Sequence, residues 1–181
     1  AEDRLRQSEE KYRTLFDTMA QGVVYQDAEG RITSANHAAE CILGMTLEQM
    51  QGRSPTDLRW RGLREDGLEL PQKALPTTIA LRSGRPVHSV TVGVFHPGDG
   101  KYHWLLVDAV PQFRPEESRP YQVYTTFSDI TERKLAEDRS KLQAQILDAQ
   151  LDPVYVHDFD GNFVYVNQAA CASHGYTREE I

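Results

Sequence analysis

Cysteine is scarce in this chain of 181 residues: Cys41 and Cys171 are the only two. They supply no disulfide framework, which points to a reducing compartment. No apolar run approaches the roughly 18 residues of a membrane span. The opening Ala1-Glu2-Asp3-Arg4 does not read as a signal peptide. The expectation is a soluble, cytoplasmic chain with no membrane segment. Basic charge is also short, with 20 Lys and Arg against 27 Asp and Glu and a net charge of −7. Phosphate backbones call for clustered cations, and the basic residues here are interleaved with acids, so nucleic acid is not an expected partner. A phosphate loop, a Gly-x-Ser-x-Gly elbow and a His-Glu-x-x-His run are all missing. Carboxylates such as Asp57, Asp66 and Asp108 are scattered, so the expectation is a fragment without catalysis of its own.

What is present is a repeat. Asp27-Ala28-Glu29-Gly30-Arg31-Ile32-Thr33-Ser34-Ala35-Asn36 returns as Asp158-Phe159-Asp160-Gly161-Asn162-Phe163-Val164-Tyr165-Val166-Asn167, at an offset of 131 residues. The offset holds without a gap from Asp17/Asp148 to Glu48/Glu179 and also matches Gly44 to Gly175 and Thr46 to Thr177. Solenoid repeats run roughly 20 to 50 residues, so a period this long is a small domain. The chain reads as one complete copy and the opening part of a second.

The pattern within the first copy is mixed. Residues 1–19 carry Leu5, Tyr12, Leu15, Phe16 and Met19 on one helical stripe, and Gly22 reads as the stop. Val23–Gln26 and Arg31–Ala35 are strands around a turn in which Gly30 supplies a positive φ. Asn36 caps the helix His37–Leu43, which Gly44 ends; Thr46 and Gln49 form a capping box for the next. Between Gln51 and Pro76, six Gly and Pro residues break the pattern into loops. Thr77–Ser83 is a helix ended by Gly84. Three strands follow, Val87–Phe95, Tyr102–Val110 and Tyr121–Phe127. Asp129 and Glu132 have capping-box spacing at the start of a helix whose Leu135, Leu142 and Ala149 give a short, imperfect heptad seam.

These residues resemble the PAS domain family with its C-terminal PAC segment. The resemblance is carried by Val23–Ala35 with Asp27 and Gly30, by Asn36 with Ala38-Ala39 and Gly44, and by Ala80-Leu81-Arg82-Ser83-Gly84-Arg85-Pro86-Val87. Asp99-Gly100-Lys101-Tyr102-His103-Trp104-Leu105 and the closing Phe127-Ser128-Asp129-Ile130-Thr131-Glu132-Arg133-Lys134 complete it. It implies an α+β PAS fold: a five-stranded antiparallel sheet with short helices on one face, flanked by amphipathic signalling helices. The implied layout is a helix at 1–19, a sensor domain at 20–131, a coiled-coil-like linker helix at 132–148 and the truncated start of a second PAS domain at 149–181. It further implies a sensor or interaction module of a larger signalling protein, a histidine kinase or a cyclic-dinucleotide enzyme, that acts as a homodimer through its flanking helices. The open edges of two lone strands in the tail are expected to pair with another chain.

Pocket candidates by strand position are Tyr25, His88, Val90, Trp104 and Tyr124, with Asn36 as a further candidate whose capping role is the stronger one. Arg59, Trp60, Arg61 and Arg64 form the one basic-aromatic cluster. It reads either as a lid for an anionic small molecule or as a solvated loop neutralised by Glu65, Asp66 and Glu69, with the second preferred. A flavin–cysteinyl adduct is not expected, because Gln51–Leu58, where photoactive members carry their cysteine, has none. Cys41 reads as a small buried apolar residue. Heme is not expected either, since Thr77–Arg82 lacks the histidine that heme-binding members use. The six histidines show no ligand spacing with the two cysteines, which argues against a structural zinc site. Asp129 and Thr131 are the candidate relay between the last strand and the following helix.

Overall fold

The structure is a computed structural model and describes residues 2–51, 62–177 and 180. The chain forms two compact units, Ala1–Thr131 and Glu132–Ile181. In the first, α1 (Glu2–Thr18) precedes β1 (Gly22–Asp27), β2 (Ile32–Ala35), α2 (His37–Leu43) and α3 (Leu47–Gln51). Then come β3 (Gly62–Leu63), β4 (Glu69–Leu70), a 3₁₀ turn at Gln72–Ala74, α4 (Pro76–Ser83), β5 (Val87–His96), β6 (Lys101–Gln112) and β7 (Gln122–Asp129). The helix α5 (Thr131–Asp148) leads on to β8 (Tyr155–His157), β9 (Phe163–Val166) and α6 (Gln168–His174).

The main sheet is antiparallel in the order β2-β1-β7-β6-β5-β3-β4. Its first five strands are those expected from the sequence. Two further two-residue strands extend it beyond β5, where Gly62 pairs with Val94 and with Leu70. They lie in the stretch read as loops, because two residues are too few to show the alternation that marks a strand. The lack of a Cβ at Gly62 matters here: one would sit 3.1 Å from Val92 and 3.3 Å from Leu70.

Alternation along the strands gives the sheet two faces. Val24, Val92, Leu105, Val107 and Phe127 project to the face covered by α2 and α3, where they meet Leu43, Met45 and Met50 in one core cluster. A second cluster sits under α4, where Ala80 packs on Ala109 and Val123. Each large side chain buried this way contributes about 1.5–3 kcal/mol of transfer free energy.

The local devices are those the sequence encodes. Asp27 accepts from the backbone N–H of Glu29 and of Arg31, closing the β1–β2 turn over Gly30 at φ 81°. Thr46 and Gln49 form a reciprocal box, Gln49 N–H to Thr46 Oγ1 at 3.3 Å and Thr46 N–H to Gln49 Oε1 at 3.0 Å. Gly44 and Gly84 end their helices in the left-handed region, at φ 63° and 65°. Gly22 has a different role from the helix stop expected of it. It starts β1, and a Cβ there would fall 2.3 Å from the Phe127 ring. Cys41 is exposed rather than buried, its Sγ 3.6 Å from His37 Nε2.

The second unit repeats the opening of the first. Gly161 and Gly175 take the same left-handed conformation as Gly30 and Gly44, and Asp158 accepts from Asp160 and Asn162 as Asp27 does from Glu29 and Arg31. Strands β8 and β9 form a sheet of two, with Val166, Ala170 and Cys171 as a small core. Among the described residues, no helix is long and apolar enough to cross a membrane.

Candidate functional site: the cavity between sheet and helices

A cavity of about 330 Å³ lies on the covered face of the main sheet. Val24, Val92, Val94, Leu105, Val107 and Phe127 make its floor, and Leu43, Met50 and the first turns of α4 (Thr77, Thr78, Leu81) line it from the helix side. The size suits a small molecule with an apolar body. Polar side chains interrupt this largely apolar lining, with Gln26 on β1 and Thr125 on β7 beside Glu29, Gln72 and Arg82. Gln26 Oε1 and Thr125 Oγ1 are buried and, among the described residues, have no hydrogen-bond partner. Buried polar atoms are normally satisfied, and each one left alone costs about 1–3 kcal/mol.

One side chain joins β1 to α2, both of which border the cavity. Asn36 is fully buried and makes four hydrogen bonds. Its Oδ1 accepts from the N–H of Val23 and of Ala39, both at 2.9 Å, and its Nδ2 donates to the carbonyls of Phe16 and Gln21. It therefore caps α2, starts β1 and ties both to the end of α1. Asn167 repeats all four bonds with residues displaced by the same 131 positions: Val154, Ala170, Leu147 and Asp152.

A model of the PAS fold matches residues 10–130. The chain belongs to the PAS family. A second model, of a PAS domain, matches residues 141–181. Among solved structures, the PAS domain of a protein from Colwellia psychrerythraea is 21% identical and superposes with a TM-score of 0.52, over 68% of this chain and 98% of that one. A domain of the sensory box sensor histidine kinase/response regulator from Geobacter sulfurreducens is 18% identical, with a TM-score of 0.50 over 69% of this chain and 96% of that one. The Rhodobacter sphaeroides LOV protein is 20% identical, with a TM-score of 0.52 over 81% and 78%. No curated protein matches the chain. PAS domains are sensory and signalling modules as a class, and this chain is one of that class.

Most of the sequence candidates lie elsewhere in the PAS fold. Tyr25 and Tyr124 face away from the cavity and form an aromatic group with Phe16 of α1, the Tyr25–Tyr124 and Phe16–Tyr25 centroids being 6.0 and 6.2 Å apart. Tyr25 and Tyr12 share a hydroxyl contact of 3.2 Å. Desolvation first, then that contact, pushes the Tyr25 phenol up to about 12. Trp104 pairs with Gly93 on the same outer face; a Cβ on Gly93 would meet its ring at 3.2 Å. His88 is exposed, 3.1 Å from Asp108 at a bulge where Ser89 has φ 55°. Val90 packs against the core without lining the cavity. Arg59, Trp60 and Arg61 lie outside the described residues. Arg64 pairs with Asp66 beside the β3–β4 turn. The residues that do line the cavity, Gln26, Thr125 and the start of α4, carry no motif that would have singled them out.

The relay candidates meet a group of imidazoles. The Thr131 N–H donates to Asp129 Oδ1 at 2.8 Å, and Thr131 Oγ1 accepts from the Trp104 N–H at 2.9 Å. The cap thus comes from the Asp129 carboxylate acting on Thr131, with the Thr131 hydroxyl reaching back to β6. Asp129 Oδ2 lies 2.8 Å from His103 Nδ1, and His103 Nε2 lies 2.9 Å from Asp99 Oδ2. The His103 and His96 rings stack at 4.6 Å. Hydrogen bonding to Asp99, and next to Asp129, raises His103 against the opposing effect of burial. The His103 hydrogen bond, foremost, lowers Asp99 to about 2. Burial pushes Asp129 upward, but its bonds with Thr131 and His103 outweigh this and leave it below the usual carboxylate range. His103, Leu105, Phe127 and Asp129 share one face by strand parity and register, so this cluster is the next rung after the cavity floor.

Proposed function

We propose that the first PAS domain binds a small, largely apolar ligand in the cavity and passes its occupancy through β7 and Thr131 into α5, toward an output domain of the parent protein. What carries this reading is a pair of buried polar atoms, Gln26 Oε1 and Thr125 Oγ1, unpartnered among the described residues, in residues that line a predominantly apolar cavity of about 330 Å³. A ligand bearing a hydrogen-bond donor would satisfy them and remove their desolvation cost. Thr125 sits on β7 six residues before Thr131, so one strand joins the cavity to the base of the helix. The role is one of binding and relay, without chemistry in this fragment, in a cytoplasmic signalling protein of the sensor-kinase or cyclic-dinucleotide type.

A second reading has its own support. Leu5, Tyr12 and Leu15 on α1, and Leu135, Leu142 and Ile146 on α5, are all more than half exposed. Apolar stripes of this kind suit helix pairing between two copies. The domain would then be a ligand-free dimerisation and spacing unit. Native mass spectrometry separates the two. The ligand reading predicts an added small-molecule mass on the purified chain, lost in Thr125→Val, whose ligand-free form is in turn more stable by about 1 kcal/mol because an unsatisfied hydroxyl is gone. A dimer at the bare polypeptide mass in both proteins would support the spacer instead.

A further inference from the structure

We propose that His96, Asp99 and His103 in the β5–β6 hairpin form a binding site for a divalent metal ion of the zinc class, with Asp129 orienting His103 from behind. Three donor atoms, one from each residue, lie within 4.8 Å of one another. His96 Nδ1 and Asp99 Oδ1 are 3.2 Å apart, and His103 Nε2 and Asp99 Oδ2 are 2.9 Å apart. Ligand atoms around a tetrahedral zinc with bonds of about 2.1 Å stand roughly 3.4 Å from each other. The three donors are within reach of one ion, and the His96 and His103 rings, stacked at 4.6 Å, turn toward a shared point on coordination.

Two further observations set the cluster apart from a chance grouping of polar residues. His96 Nδ1 is shut off from solvent and, among the described residues, makes no hydrogen bond; its contact with Asp99 is close but not aligned for one. A metal would give that lone pair a partner. The ring is fixed in its direction, because it packs on Gly44 and Gly98, where a Cβ would come within 2.5 and 2.8 Å of it. The other observation is Asp129. Without a metal both ring nitrogens of His103 donate, Nδ1–H to Asp129 Oδ2 and Nε2–H to Asp99 Oδ2. With the bond to Asp129 kept, the Nε2 proton is the one a metal displaces, and that nitrogen's lone pair then meets the ion. A carboxylate behind a histidine ligand fixes the tautomer and raises basicity, and its loss weakens metal binding 10–100-fold. Two imidazoles and one carboxylate leave a fourth position for water or a partner's ligand, and favour zinc, nickel or copper over magnesium.

The signal in the sequence is His-x₂-Asp-x₃-His, read across a hairpin instead of along a helix. It escapes a search that pairs histidines with cysteines. The site is independent of the cavity reading and shares with it only Asp129, one residue from Ile130, whose N–H donates to the Trp104 carbonyl.

The test is isothermal titration of the whole chain with zinc chloride, beside nickel and magnesium chloride. The expected result is one saturable equivalent of zinc, loss of at least tenfold in affinity in His96→Ala and in Asp99→Asn, a 10–100-fold loss in Asp129→Asn, no change in Cys41→Ser, and no saturable magnesium. Cobalt added to the unaltered chain should give the visible bands of tetrahedral coordination, a readout that stands even if a variant unfolds. No saturable zinc binding to millimolar concentration overturns the proposal, as does binding that His96→Ala and Asp99→Asn leave intact. Full affinity in Asp129→Asn overturns the part given to Asp129.

Discussion

At the level of single residues, Asn36 holds four backbone groups at once. Asn36→Ala would strand the four backbone partners of its side chain in a buried site. The expected loss is about 3 kcal/mol, below the sum of four separate bonds because water and relaxation recover part of it. Urea unfolding at equilibrium checks it, and a change under about 1 kcal/mol would deny Asn36 its clamp role. Tyr25 gives a pH dependence. Its folded value of about 12 lies above the ordinary value near 10. A group raised on folding contributes its stability in full below the unfolded value and loses it as pH climbs through the folded one. The neutral Tyr25 phenol therefore supports the fold up to about pH 10 and ceases to between there and about pH 12. Tyr25→Phe should flatten that alkaline limb in urea midpoints measured from about pH 9 to 11.5, and an unchanged slope would contradict the assignment. The turn and capping roles of Gly30, Thr46, Gly44 and Asn36 were legible in sequence because they depend on neighbours within a few positions, whereas the bonds of Asn36 to Phe16, Gln21 and Val23, 13 to 20 residues away, were not. Nor were the cavity residues. Which strand face a side chain takes follows from the alternation, but which face the helices cover does not. In β1 both Val23 and Val24 are buried, so hydrophobicity does not mark the cavity side.

At the scale of elements, β7 and α5 are joined by two residues that were legible for what they are but not for what they touch. The Asp-Ile-Thr run marked a strand end and a helix start. That Thr131 would accept from Trp104 on β6, and that Asp129 would reach His103, follows only once β6 and β7 are in register, with Leu105 opposite Asp129. The sequence places strands at Val87–Phe95 and Tyr102–Val110, yet it is their closure into a hairpin that brings His96 onto His103. Asp129→Ala removes both the Thr131 cap and the His103 contact. In an intact receptor it is expected to change signalling output more than ligand affinity, together with about 1–2 kcal/mol of stability. A dose–response assay of the parent protein reads both quantities, and an unaltered output would count against a relay at this junction. The short strands β3 and β4 lay beyond sequence reading for another reason: they exist because a neighbouring edge, Val94 on β5, offers hydrogen bonds, and not because two residues prefer extended backbone.

At the scale of the molecule, the 131-residue repeat is physical as well as textual. Asp158, Gly161, Asn167 and Gly175 rebuild the turn, clamp and helix stop of the first copy, down to the same donors and acceptors. The second unit shows only the opening strands and helix of that design and leaves Phe159, Phe163 and Val164 exposed. In the first unit the same opening elements are covered by β5, β6 and β7, which complete the sheet and close the cavity. In the first unit the last of these strands, β7, is the one that runs on to α5. The claim that cavity occupancy is read at the base of α5 is tested most directly by hydrogen–deuterium exchange on the chain with Thr125→Leu, which fills part of the cavity and removes an orphaned hydroxyl. The account predicts a several-fold change in exchange at the amides of Trp104, Ile130 and Thr131, with the amides of β8 and β9 unmoved. Identical exchange at the helix base in the two proteins, with the substitution accommodated in a folded domain, would contradict it.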